Sequence, residues 1–143
     1  MMVTVYRVED PATSLGPYGG LSIFAERGED DELICTAEEV FEDLHERHGH
    51  DPENHPGPKS EGWEDLLDTQ RYRWKFGFSS LDELKDWFDE DLRERLALVG
   101  FVISAYTVDS DAIIHGKKQC LFEYDLPSTA LVERIGLHKF LPV

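Results

Sequence analysis

Residues 3–8, VTVYRV, set apolar against polar positions with a period of two, and their β-branched and aromatic types predict a first strand. The same alternation is cleanest from Arg71 to Phe78, where Tyr72, Trp74, Phe76 and Phe78 fall on one face and Arg71, Arg73 and Lys75 on the other. A third strand is expected over Phe101–Val108, closed by the turn DSD. Two more extended segments, Ala112–His115 and Gln119–Tyr124, flank a glycine turn at Gly116 with GKK at its tip. Helical spacing takes over in two places. Thr36 and Glu39 form a capping box, and Ala37, Val40, Phe41 and Leu44 share one face, which predicts a helix from Thr36 to His48 that stops at Gly49. Ser80 and Glu83 form a second box, and Leu81, Leu84, Phe88, Leu92 and Val99 continue at helical spacing to Gly100.

The connecting stretches are punctuated by glycine and proline. Glu9-Asp10-Pro11 ends the first strand, and PATSLGPYGG reads as an irregular loop with Tyr18 exposed or folded back over that strand, followed by LSIF as a short extended piece. The polar HDPENHPGPKSEG predicts a mobile loop around residues 49–62 rather than a linker, because too little chain precedes it to form a separate domain. Trp63–Leu67 suits a helical turn, and Ser128–Arg134 a short helix or turn before Leu137–Val143. With no internal repeat, and with connections too short for repeated crossovers, the pattern is α+β: a mostly antiparallel sheet with two main helices in a single domain over residues 1–143.

Charge changes the functional picture more than the fold. Thirty acidic residues against fourteen basic ones give a formal net charge of -16. Direct binding to nucleic acid is disfavoured, since that affinity comes from lysines and arginines displacing condensed counterions. Such a surface is simply solvated, reflects a saline-adapted proteome, or serves as a nucleic-acid mimic, inhibiting a host protein whose groove its carboxylates occupy; a small non-catalytic interaction domain is the remaining reading. Cys35 and Cys120, each in an apolar context, suit buried free thiols in a reducing compartment, so the expected location is cytoplasmic. The opening MMVTVYRVED lacks the pattern of a secretory leader, and no uninterrupted apolar stretch approaches the length that crosses a bilayer. Homodimerisation has no support in the sequence.

Three constellations carry candidate chemistry. His45, His48, His50 and His55 fall close together, the first two near one helical turn apart, which is a spacing that can bring imidazoles to one metal. With no cysteine pair or HExxH frame beside them, they read instead as partners of a helix C-terminus and as solvated side chains, and no metal site is assigned. A cysteine nucleophile paired with one of these histidines lacks the basic, helix-N-terminal setting that holds a thiolate. The third constellation combines Tyr6 and Arg7 on the first strand, Ser79 and Ser80 at the end of the aromatic strand, and Gln119 to Glu123 late in the chain. An arginine can hold a phosphate, a serine can orient a sugar, and a late glutamine or glutamate can bond a ribose hydroxyl. Tyr6, Tyr18, Trp74 and Phe78 can stack on a flat ring. Each part also has a plain structural reading: Arg7 as a surface strand residue, Ser80 as an N-cap, Gln119 as an edge-strand side chain.

Taken in order, "VYRVE", "FGFSSLDELKDWF", "VISAYTVD" and "KKQCLFEYDLPSTALVERI" resemble the succession in small ADP-ribosyltransferase-like domains. The "YRVE…GPY" opening and "FGF.SL..L..WF" middle are also similar to small phage and prophage proteins. The first resemblance implies NAD as cofactor, with Arg7 at its phosphates, Ser79 or Ser80 at the central serine position, and Gln119 or Glu123 at the late acidic one. An aromatic side chain would stack on nicotinamide, and a stabilised ribosyl cation would be attacked by an acceptor as nicotinamide leaves. This sequence departs from the family's pattern in offering Gln119 where glutamate is usual. Glu123 lies four residues on, so it reaches the same site only if that site extends about 13 Å along the strand.

Overall fold

The computed structural model describes residues 1–27, 30–51, 53, 55–59, 61–70 and 73–137. Strand β1 (Met2–Glu9) is followed by helices α1 (Pro17–Arg27), α2 (Asp31–His50) and α3 (Glu64–Gln70), then strand β2 (Trp74–Gly77). Helices α4 (Leu81–Trp87) and α5 (Glu90–Leu98) lead into β3 (Val102–Asp109). A 3-10 turn (Ser110–Ala112) precedes β4 (Ile113–His115), β5 (Cys120–Glu123) and β6 (Ala130–Ile135). The described strands form two antiparallel three-stranded sheets, ordered β1-β3-β6 and β2-β5-β4, so the protein is α+β.

The period-two segments become strands close to where the alternation places them. β2 spans Trp74–Gly77 of the expected Arg71–Phe78, with Arg71 and Tyr72 outside the described residues. Ser80 caps α4 as its box implies, its Oγ accepting from the Glu83 amide at 3.2 Å. Beyond that cap the structure differs from the single expected helix. Asp89 accepts from the Leu92 amide at 3.0 Å and starts α5 afresh, while Phe88 closes α4 through its amide on the Leu84 carbonyl. A second capping side chain inside a periodic run divides the helix without disturbing the apolar spacing, because Leu84, Trp87, Leu92 and Leu96 all still reach the core.

Three further expectations are corrected. PATSLG is irregular as expected, but PYGG and LSIF are neither loop nor extended piece: helix α1 begins at Pro17, the position where a missing N–H costs nothing. Gly20 within it serves close approach, since a Cβ there would stand 2.8 Å from the Phe101 ring. Helix α2 starts five residues before Thr36, capped by the Asp30 carboxylate on the amides of Glu32 and Leu33. It runs through Gly49, and the Thr36 hydroxyl donates back to the Glu32 carbonyl. The expected late helix or turn is instead β6, which the free edge of β3 recruits by pairing Ile103 with Ile135 and Tyr106 with Leu131.

The main core lies between the helices and one sheet face, built from Val8, Leu21, Leu44, Phe78, Trp87, Phe101 and Ile103 among others. A smaller core on the opposite face holds Val5, Tyr106, Val108, Cys120 and Phe122. Cys120 is buried as expected, but Cys35 is exposed on α2. The α2 and α5 helices are cross-linked by Arg95 on Asp43 at 2.7 Å, while Arg47 reaches Asp43 at 3.0 Å and Asp89 at 2.8 Å. Among the described residues no helix is long and apolar enough to cross a membrane.

Candidate functional site

The two sheets meet at one described bridge. Tyr6 and Phe78 exchange backbone hydrogen bonds of 2.8 and 2.7 Å, and on either side of this pair β1 and β2 belong to different sheets. The approach depends on Gly77, where a Cβ would collide with Val5 Cγ1 and come within 3.1 Å of the Tyr6 carbonyl oxygen.

Arg7 bridges the strands beside this junction. Its Nη1 donates to the Phe76 carbonyl at 2.8 Å, its Nε to Glu9 Oε2 at 3.0 Å, and its Nη2 makes a long 3.5 Å contact to the Ser14 carbonyl. Glu9 is fully buried, and its other oxygen accepts from the Tyr106 hydroxyl at 2.6 Å. Burial lowers the Arg7 pKa, and Glu9 acts against that shift. Lys75 sits close by, donating to the same Ser14 carbonyl at 2.9 Å with its ammonium 3.7 Å from the Tyr124 ring centroid. Burial, reinforced by the Arg7 charge, pulls its pKa down to about 8. Arg7 is thus a buried internal cation rather than a surface strand residue.

A cavity of about 700 Å³ opens along the helix side of this junction, walled by Arg7, Tyr18, His48, Phe76, Phe78 and Gln119. One wall is a polar stack. Tyr18 from α1 meets Nε2 of His48 at 2.5 Å, His48 Nδ1 lies 2.7 Å from the His55 carbonyl, and His55 Nε2 lies 3.2 Å from the Trp87 carbonyl. A carbonyl only accepts, so His48 Nδ1 carries the proton and its Nε2 receives the Tyr18 hydroxyl. Burial raises the Tyr18 phenol to about 12 and lowers His48. A second cavity, of about 460 Å³, is lined by Ser79, Glu83, Trp87, Lys117 and Lys118, and Gln119 belongs to both.

Of the residues singled out from the sequence, Arg7, Tyr18 and Gln119 therefore share one cavity, and Ser79 joins Gln119 in the other. Ser80 is committed to its cap, and Tyr6 packs against the main core. Trp74 and Glu123 pair in register across β2 and β5, where Glu123 is held by Arg73 at 3.0 Å, away from both cavity walls. His48, Phe76 and the lysine pair are lining residues outside the site expected from the sequence, although the histidine cluster, the aromatic period and the GKK tip mark their places. Among the described residues no group of three or more histidine, cysteine or acidic side chains is placed to hold a metal ion. Burial pushes the Cys120 thiol up to about 12, which leaves it a packing group rather than a thiolate.

No curated protein and no solved structure matches the chain. A family model described as Bacteriophage T4 Y00F protein matches residues 1–137, nearly the whole length, and the chain thus belongs to this phage protein family.

Proposed function

We propose that the junction between the two sheets binds NAD or a related nucleotide, as an ADP-ribosyltransferase-like domain that has kept a ligand cleft without the means of transfer. The observation that carries this reading is the convergence of Arg7, Tyr18, Phe76, Phe78 and Gln119, from separate segments of the chain, on one cavity of about 700 Å³. That volume falls in the usual range for small-molecule sites, and its aromatic walls suit a flat ring. Among the described residues no carboxylate lines this larger cavity, and Glu123 pairs with Arg73 outside it, so within that cavity a developing ribosyl cation would find no anionic partner. Binding rather than transfer follows. Thermal unfolding with NAD tests this: a ligand at about 100 times its Kd stabilises by ~2.7 kcal/mol, so a clear rise in Tm is expected. An unchanged Tm at millimolar NAD would overturn the reading.

A second reading rests on the helical layer. Glu38, Glu39, Glu42 and Glu46 on α2 and Glu90, Asp91 and Glu94 on α5 are all exposed, on two helices held together through Asp43 and Arg95. Their combined field suits docking on the basic groove of a host nucleic-acid-binding protein. Displacement of duplex DNA from such a protein, weakening as salt rises, is the expected result; displacement that persists when the four α2 glutamates become glutamine would exclude this surface.

A further inference from the structure

Building on the nucleotide reading of the cleft, we infer that a bound nucleotide spans both cavities, with its base in the larger one and its phosphate held by Lys117 and Lys118 rather than by Arg7. Three observations lead there. Arg7 is already engaged: the residue is 8% exposed, and its guanidinium is paired with the fully buried Glu9 and bonded to the Phe76 carbonyl. Turning it towards a ligand phosphate would strip Glu9 of its counterion inside the protein, which costs more than one new ion pair returns. The larger cavity is therefore a chamber for the neutral, flat part of a ligand.

Exposed positive charge lines the second cavity instead. Lys117 and Lys118 are both exposed at the β4–β5 turn, on a chain with a net charge of -16, and they line the second cavity. The turn that presents them is fixed at its base. The Gly116 amide donates to the Gln119 carbonyl at 2.9 Å, and the Lys117 amide donates to Glu61 Oε2 at 3.1 Å.

Gln119 supplies the link, because the residue lines both cavities and its amide is of a type that can bond the ligand where base gives way to sugar. Ser79 and the Glu83 carboxylate line the same second cavity and suit the hydroxyls of a ribose. Glu83 and Asp86, which also lines that cavity, repel phosphate, so the site favours a nucleotide with one or two phosphates near the lysine tip over a longer polyanion.

Titration of the full-length protein with AMP, NAD and adenosine, alongside a Lys117→Ala/Lys118→Ala variant, tests the assignment. The expected result is that AMP binds the native protein more tightly than adenosine, that the variant loses roughly 10-fold or more in affinity for AMP and NAD, and that adenosine is unaffected. An unchanged Tm of the ligand-free variant shows that the loss is not one of folding. Equal affinity for adenosine and AMP, or a variant that binds AMP as the native protein does, overturns the lysine assignment and leaves the nucleotide cleft standing. Absence of binding by all three ligands to the native protein removes the cleft reading itself, and the inference with it.

Discussion

The hydroxyl of Tyr18 on α1 donates to Nε2 of His48 on α2 at 2.5 Å, while the other nitrogen of the same ring donates to the His55 carbonyl at 2.7 Å. One neutral imidazole thereby joins the first helix, the second helix and the segment that follows it, and it does so on the wall of the candidate cleft.

Protonation of His48 would place a second N–H against the Tyr18 hydroxyl proton and a charge in a half-buried site. Its folded pKa lies below the ordinary 6.5, chiefly through burial. The native state therefore binds fewer protons than the unfolded chain in the interval between the two values. The corresponding stability is fully present above 6.5 and is lost as pH falls through the lower folded value. Melting temperatures across pH 7 to about 5 should decline for the native protein and decline less for His48→Gln, which keeps polar contacts without titrating there. Parallel curves for the two proteins would show that His48 is not the group responsible.

Arg7 and Glu9 form a buried pair, with side-chain exposures of 9% and 0%. Arg7→Met leaves the Glu9 carboxylate with only the Tyr106 hydroxyl, and breaking a buried pair in this way typically costs about 3–5 kcal/mol. Glu9→Gln should be similarly damaging, and the double variant should lose less than the two single losses added together. Urea unfolding of the four proteins measures this directly, and strict additivity would show that the two charges do not depend on each other.

At Gly77, a single methyl group meets Val5 Cγ1, the Tyr6 carbonyl and the Phe122 ring together. Gly77→Ala should therefore cost about 1–3 kcal/mol and weaken protection of the Tyr6 and Phe78 amides against hydrogen exchange, since those amides close the junction between the sheets. Wild-type protection at both amides would mean that the strands tolerate a wider approach.

Asp89 performs two tasks, capping α5 through the Leu92 amide and pairing with Arg47. Asp89→Ala should lose about 1 kcal/mol from the cap, in the same range as Ser80→Ala on α4. Asp89→Ser should recover most of it, because the ion pair is partly exposed and such pairs contribute little. If serine proves no better than alanine, the ion pair rather than the cap starts this helix.

Much of the secondary structure was legible because its causes are local. The alternation in VTVYRV and in Trp74–Phe78 and the Ser80 box each act within a few residues. The errors arose where a local signal had two readings. Glycines 19 and 20 looked like loop punctuation, yet Gly20 lies inside a helix because Phe101, some eighty positions later, packs against it. Thr36 and Glu39 looked like a helix start, but Asp30 offered an earlier cap. Residues 130–135 carry no decisive preference, and the open edge of β3 made them a strand.

The candidate site divides in the same way. Sequence alone determined which side chains were available: an arginine on the first strand, aromatics in register on another, a glutamine before a late strand, and a strongly acidic surface, since composition and strand period are properties of neighbouring residues. Only the tertiary structure decided that Arg7 is held by Glu9 two residues on and by the Phe76 carbonyl on another strand. It likewise brought Gln119 to the boundary of two cavities and left Glu123 paired with Arg73 outside them. A charged side chain takes its role from whichever partner burial leaves within reach, and strand pairings between distant segments, not the local pattern, set that distance.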